Sequence, residues 1–180
     1  DPIPPVENSN PDHVFEIHPL VRVGSQSVVN TLQWIEGYTP KDAARAFEIY
    51  DAIPCEIVPD AATQRVSIIT KKVGYNYVDF IMRVEEDTQF ESIDGRFVRA
   101  TPLDLDGNPV SQRKIRMVLP RDSAAEQRVR GLRTGDTLRV LGMPRIDLAV
   151  VSWRIRNAAE RPEALTWKLP YEMVICGVKN

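Results

Sequence analysis

From Tyr75 to Arg156 the chain is a string of short alternating runs cut by turn residues. Tyr75–Glu85 puts Val78, Phe80 and Met82 on one face of an extended segment. Asp94-Gly95 and Asp106-Gly107-Asn108 are hairpin-type turn signals that separate the runs Thr88–Ile93, Arg96–Leu103 and Val110–Leu119. Thr134-Gly135-Asp136 then leads into the alternation around Leu138 and Val140. That run breaks at Gly142-Met143-Pro144 and is followed by a second alternating run, Val150–Arg156. Side chains on a pleated strand point to opposite faces with a period of two, so each run reads as a strand with one buried face. Many short strands and few helices mean a barrel or a sandwich.

The remaining segments fit around this meander. His13–Val23 alternates, with Pro19 marking an edge position or a bulge, and Ser25–Trp34 reads as another strand. Thr39 is expected to cap a helix with Pro40 at its first position and Asp42 in its first turn; Pro54 stops it. Cys55–Val58 and Arg65–Lys72 read as strands around a turn at Pro59-Asp60. A short helix is expected after Asp122-Ser123, with Glu126 placed for a capping box and Gly131 as its end. Trp167–Val178 is a last strand or strand pair. Residues 1–12, rich in Pro and polar groups, suit an extended tail. Residues 13–180 then form one β-rich domain, a length sufficient for a single core.

The segment 75–156, with its meander, short helix and closing strands, resembles the oligonucleotide/oligosaccharide-binding (OB) fold. The resemblance implies a mainly β protein: a closed or partly open OB-like barrel with two short helices. It does not choose among the many functions such a scaffold carries. Phe15-Glu-Ile-His-Pro-Leu20 is similar to a segment of uncharacterised bacterial exported proteins. With the Pro-rich first residues, it implies a periplasmic or secreted protein whose signal peptide has been removed before Asp1.

No apolar run approaches the roughly 20 residues needed to cross a bilayer as a helix, so no membrane span is expected. Cys55 and Cys176 lie far apart in sequence. Export would permit a disulfide between them; two unpaired buried thiols is the other reading, and the apolar run Met173–Cys176 suits it. The net charge of −2 hides an asymmetry. Residues 1–60 hold three basic and ten acidic residues, whereas residues 110–161 hold twelve basic and five acidic. Such a division marks either an anionic partner or two segments lying against one another.

Few residues suggest catalysis. Glu16 and His18 share a strand face and are the weak candidates for a metal site or an acid–base pair, but no third ligand is identifiable. His13 points the other way, and a His18 ring packed on the sheet is the structural alternative. There is no nucleophile-elbow motif and no phosphate-binding loop. Asp104-Leu-Asp-Gly-Asn108 reads as a turn, because a calcium loop needs a later Glu that is missing here. No catalytic residue and no cofactor is nominated.

The basic segment offers a binding surface instead. Ile115, Met117 and Leu119 point inward, leaving Lys114 and Arg116 outward. Leu138 and Val140 leave Arg139 outward, and Val151, Trp153 and Ile155 leave Arg154 and Arg156 outward. If these strands adjoin, the five cations form one positive face; the alternative is an ordinary solvated sheet surface. The expectation is an exported, non-enzymatic binding protein whose partner is a protein, a glycan or another anionic polymer. Single-stranded nucleic acid on the same face is the alternative, less favoured because Trp153 falls on the apolar side and no aromatic residue alternates with the arginines. A metal-assisted enzyme using Glu16 and His18 is the second alternative.

Overall fold

The computed structural model describes residues 22–27, 40–70, 77–86, 90–92 and 95–179. The Pro-rich residues 1–12, His13, Glu16, His18 and most of the two N-terminal strands expected from the sequence lie outside the described residues. What is described there is a small hairpin, β1 (Arg22–Val23) and β2 (Gln26–Ser27), turning at Gly24 with φ +57°.

Helix α1 (Ala43–Ala52) starts three residues later than Thr39 would place it. Asp42 is the cap, its Oδ1 accepting from the Arg45 N–H at 2.8 Å. Ala43, Ala46, Phe47 and Tyr50 recur at helical spacing and are all buried. Ile53 turns to extended geometry, and Pro54 cannot continue the helix. The chain then forms a hairpin of β3 (Cys55–Asp60) and β4 (Arg65–Thr70). Pro59 lies within β3, and the turn follows it, with Asp60 Oδ1 accepting from the Ala62 and Thr63 N–H groups. Cys55, Ile57 and Ile68 pack on a cluster that includes Val151 and Leu169.

The remaining strands are β5 (Val78–Val84), β6 (Phe90–Ser92), β7 (Gly95–Leu103) and β8 (Ile115–Pro120). Helix α2 (Ala124–Val129), β9 (Thr137–Ile146), helix α3 (Leu148–Arg156), a 3-10 turn at Pro162–Thr166 and β10 (Tyr171–Val178) follow. The order β5-β9-β10-β8-β7 closes through a β7–β5 pairing into a five-stranded barrel. Every pair is antiparallel except β8 with β10, which is parallel. The protein is therefore mainly β, and its closed mixed barrel is compatible with an OB-like fold.

The barrel interior is filled by Phe80, Met82, Val98, Met117, Leu119, Val140, Met173 and Ile175. Two helices add to this core. Phe47 of α1 meets Phe80 edge-on, with ring centroids 5.2 Å apart, and Ala125 and Val129 of α2 join the same cluster. Ser123 and Glu126 cap α2. Ser123 Oγ accepts from the Glu126 N–H, while Glu126 Oε2 accepts from the N–H of Asp122, one residue before the usual box partner.

Three expectations are corrected. β9 is one ten-residue strand that runs through Gly142-Met143-Pro144 without a break. Glycine suits position 142 because the interior is crowded: a Cβ there would stand 2.9 Å from a Phe80 ring carbon. Val150–Arg156 is not a strand but lies in α3, capped by Asp147, whose Oδ1 accepts from the Val150 N–H. The barrel accordingly closes with Tyr171–Val178 rather than within residues 75–156. Cys55 and Cys176 are both free and buried, and they belong to separate clusters. No helix among the described residues is long and apolar enough to cross a membrane.

Candidate ligand face

Alternation puts Phe97, Arg99 and Thr101 of β7 on the outside of the barrel, opposite the inward Val98 and Ala100. The same logic turns Arg116 of β8 outward between the buried Ile115 and Met117. In the β7–β8 register Arg99 lies directly across from Arg116. Opposite residues in an antiparallel pair have Cβ atoms about 4.5–5.5 Å apart, and like charges there repel. Arg99 is exposed and forms no ion pair among the described residues, although Glu85 lies beside it just past the end of β5, its N–H donating to the Arg99 carbonyl at 3.0 Å. Lys114, exposed just before β8, adds a third positive charge.

Aromatic rings flank these cations. Phe90 of β6 pairs with Phe97 of β7, and their rings stack with centroids 4.9 Å apart and planes 18° apart. The Arg116 guanidinium lies over the Phe97 ring at 4.0 Å. Phe97 is thus held between Phe90 and Arg116, and Phe90 remains 42% exposed.

The carboxylates nearby are occupied. Glu85 Oε1 accepts from Thr101 Oγ1 at 2.6 Å and from Arg83 Nε at 3.1 Å. The Thr101 hydrogen bond, against a smaller opposing effect of burial, holds the Glu85 carboxyl below its ordinary range. Glu172 of β10 is buried on the outer side of the barrel between two arginines. Its Oε1 accepts from Arg145 Nε at 2.6 Å, and its Oε2 sits 3.0 Å from Arg116 Nε without hydrogen-bond alignment. Burial pushes the Glu172 carboxyl upward, against the pull of Arg145 and Arg116.

The five cations expected to share a face do not form one surface. Lys114 and Arg116 share the β7–β8 side. Arg139 is on β9, where Asp79 of β5 clamps it at 3.0 and 2.6 Å. That pairing holds the guanidinium protonated more firmly than usual. Arg154 is on α3 and buried at 6% exposure, donating from Nη1 to the Lys168 carbonyl at 2.9 Å. Burial pulls its pKa downward. Arg156 is exposed in the last turn of α3. Trp153, expected inside, is 43% exposed beside the Arg161 guanidinium.

Arg99, Phe97 and Phe90 are absent from the candidates that the sequence singles out. The alternation of Arg96–Leu103 carries the signal for Arg99 and Phe97, since Val98 and Ala100 must be inward for the run to make sense. Charge density hides them, because residues 61–109 carry six basic against eight acidic residues and so do not stand out as basic.

Asp104 accepts from the Asp106 N–H, the Asn108 N–H and Asn108 Nδ2, so its carboxylate closes a turn. Among the described residues no three His, Cys, Asp or Glu side chains are grouped to hold a metal ion. Glu16 and His18 lie outside those residues. Set against family models, curated proteins and solved structures, the chain matches none of them.

Proposed function

We propose that this protein is a non-enzymatic binding module whose ligand lies on the outer face of β7 and β8, and that the ligand is a single-stranded nucleic acid. The observation that carries the reading is the Arg99–Arg116 pair: two arginines registered directly opposite one another, of which Arg99 forms no ion pair among the described residues and Arg116 meets Glu172 only through Nε. Like charges at such a position are unfavourable, and Glu172 meets only one of the two. Arginine donors suit a phosphate, which they can hold through two parallel N–H bonds. The exposed Phe90, backed by Phe97, adds a flat apolar surface beside that anion position. A polymer that repeats a phosphate and a flat ring uses both, which is how single-stranded binders combine basic grooves with stacking rings. In OB-like barrels this is also the face, between strands two and three, that takes extended polymers. A glycan or a protein surface is the broader expectation from the sequence; the exposed flat ring beside the arginines is what favours a strand of stacking bases over either.

Fluorescence anisotropy of a labelled 15-nucleotide oligo-dT tests this. The wild-type protein should bind at low salt and weaken as salt rises. Arg99→Ala should reduce the slope of log affinity against log salt by about 0.7, the value of one phosphate contact on a single strand. Phe90→Ala should lower affinity by about 1–3 kcal/mol with the slope unchanged. Arg156→Ala, on α3, should do neither. No binding by the wild type at low salt would overturn the reading.

A further inference from the structure

We infer that Glu172 is the positioning residue of this face: from β10, with Arg145 behind it, it holds Arg116 over Phe97 with the outer edge of the guanidinium turned toward ligand. The inference rests on the binding reading above. Its basis is a continuous row across the outside of the barrel: Arg145 of β9, Glu172 of β10, Arg116 of β8, Phe97 of β7 and Phe90 of β6. The row follows strand neighbours in order, so each group fixes the next.

Chemistry gives Glu172 little else to do. A carboxylate buried to 5% side-chain exposure is unfavourable unless paired, and two arginines pair it. The contact to Arg116 uses its Nε and leaves its two terminal amino groups, the edge that fits a phosphate in a fork, without a partner among the described residues. Nε is buried while the side chain as a whole keeps 19% exposure, so the accessible part of Arg116 is that outer edge. A freely rotating arginine loses side-chain entropy on binding; one already held does not.

The inference predicts an effect of unusual sign. Removing a carboxylate from an anion-binding face should, by charge alone, tighten binding. Removing Glu172 should weaken it, because Arg116 is released from its stack. Glu85→Gln is the control: Glu85 is a carboxylate on the same side of the barrel that bonds Arg83 and Thr101 rather than Arg116. With the 15-nucleotide oligo-dT, Glu85→Gln should leave affinity unchanged or raise it about twofold. Glu172→Gln should lower it at least fivefold and reduce the salt slope by about 0.7.

A measurement on the free protein separates this inference from the binding reading. The Arg116 Nε–H proton resonance should be shifted upfield by the Phe97 ring. That shift should be lost in Phe97→Leu and in Glu172→Gln. The double variant Glu172→Gln/Arg145→Gln removes one charge of each sign and leaves no Arg145 charge opposite a vacated carboxylate; it should show the same loss, and it serves if the single variant does not fold. If the wild type binds no oligonucleotide but the Arg116 shift is present and Glu172-dependent, positioning stands and the ligand assignment falls. If the shift survives in Glu172→Gln, or if Glu172→Gln tightens binding as Glu85→Gln does, the positioning role is overturned.

Discussion

Gly95 is the backbone position on which the β6–β7–β8 side of the barrel turns, and replacing it by Ala should be among the most damaging single-methyl changes in the chain. Gly95 begins β7, pairs with Ser92 on one side and with Pro120 on the other, and has φ +136°. A side chain at such a φ is strained by about 1–3 kcal/mol. Space adds a second penalty, because a Cβ at Gly95 would overlap the Leu119 carbonyl oxygen and stand 2.5 Å from the Arg121 nitrogen. Both neighbours are backbone, so no rotamer change relieves the overlap. The end of β8 must move, and the loss of about two ladder hydrogen bonds at 0.5–1.5 kcal/mol each follows. Together the two effects reach about 2–6 kcal/mol, a large share of the roughly 5–15 kcal/mol that holds a typical domain folded. Gly107→Ala isolates the first effect: Gly107 has φ +88°, but an added methyl would meet nothing within 4 Å, so only about 1 kcal/mol is expected. Urea unfolding followed by far-ultraviolet circular dichroism reads both. With an m-value of about 2 kcal/mol/M, Gly95→Ala should lower the midpoint by about 1–3 M and Gly107→Ala by about 0.5 M. Equal shifts for the two variants would refute the close-approach argument.

Two further outcomes follow from the buried ionisable groups. Burial pushes the Cys176 thiol up to about 12, and burial raises Cys55 despite the nearby Arg154 charge; an aromatic disulfide reagent should therefore find almost no reactive thiol in the native protein at neutral pH and two after unfolding without reductant. A fast native thiol, or none after unfolding, would contradict the free and buried assignment. Glu126 is pushed up by burial but pulled further down by the Asp122 N–H, by Arg130 and by the Arg96 charge, and its carboxyl ends below the ordinary 4.5. A depressed carboxyl stabilises the fold above its unfolded pKa, and that contribution is lost as pH falls below 4.5 through the folded value. The stability difference between wild type and Glu126→Gln should thus shrink from pH 7 toward pH 3. Parallel urea midpoints across that range would show that the Glu126 charge does not stabilise the fold.

The sequence conveys the barrel better than it conveys α3. Strands β5 and β7 are legible because one face of each is more buried than the other, and such a strand alternates, whereas in β8 the outward Val118 is buried too. In Val150–Arg156 the same alternation is present, yet Val151 and Ile155, four apart, also suit a helix, and a seven-residue window does not separate the two periods. The deciding local signal is Asp147, whose carboxylate caps the helix, together with Ala149. Packing then sets Val151 and Ile155 toward the β3–β4 hairpin, an arrangement that requires knowing the hairpin is there. The parallel partnership of β8 with β10 is equally invisible in sequence, because the registered residues Met117 and Met173 are separated by a helix, a strand and a second helix.

The candidate face shows why a basic segment is not the same as a basic surface. Several cations of residues 110–161 are consumed within the fold: Arg113 by Asp51, Arg130 by Glu126, Arg139 by Asp79, Arg145 by Glu172 and Arg154 by a backbone carbonyl. The Arg113–Asp51 pair also joins the basic segment to the acidic N-terminal one, so part of the charge division is structural. Charge density along the chain counts all of these equally. What sets Arg99, Lys114 and Arg116 apart is where the register puts them. Arg99 comes from a segment with no basic excess, and it faces Arg116 only because β7 and β8 are neighbours. Glu172 reaches Arg116 only because β10 lies on its other side. Arg99, which forms no ion pair among the described residues, and the terminal amino groups of Arg116, which Glu172 does not engage, are a stronger indication of an anionic ligand than a charge excess in the sequence.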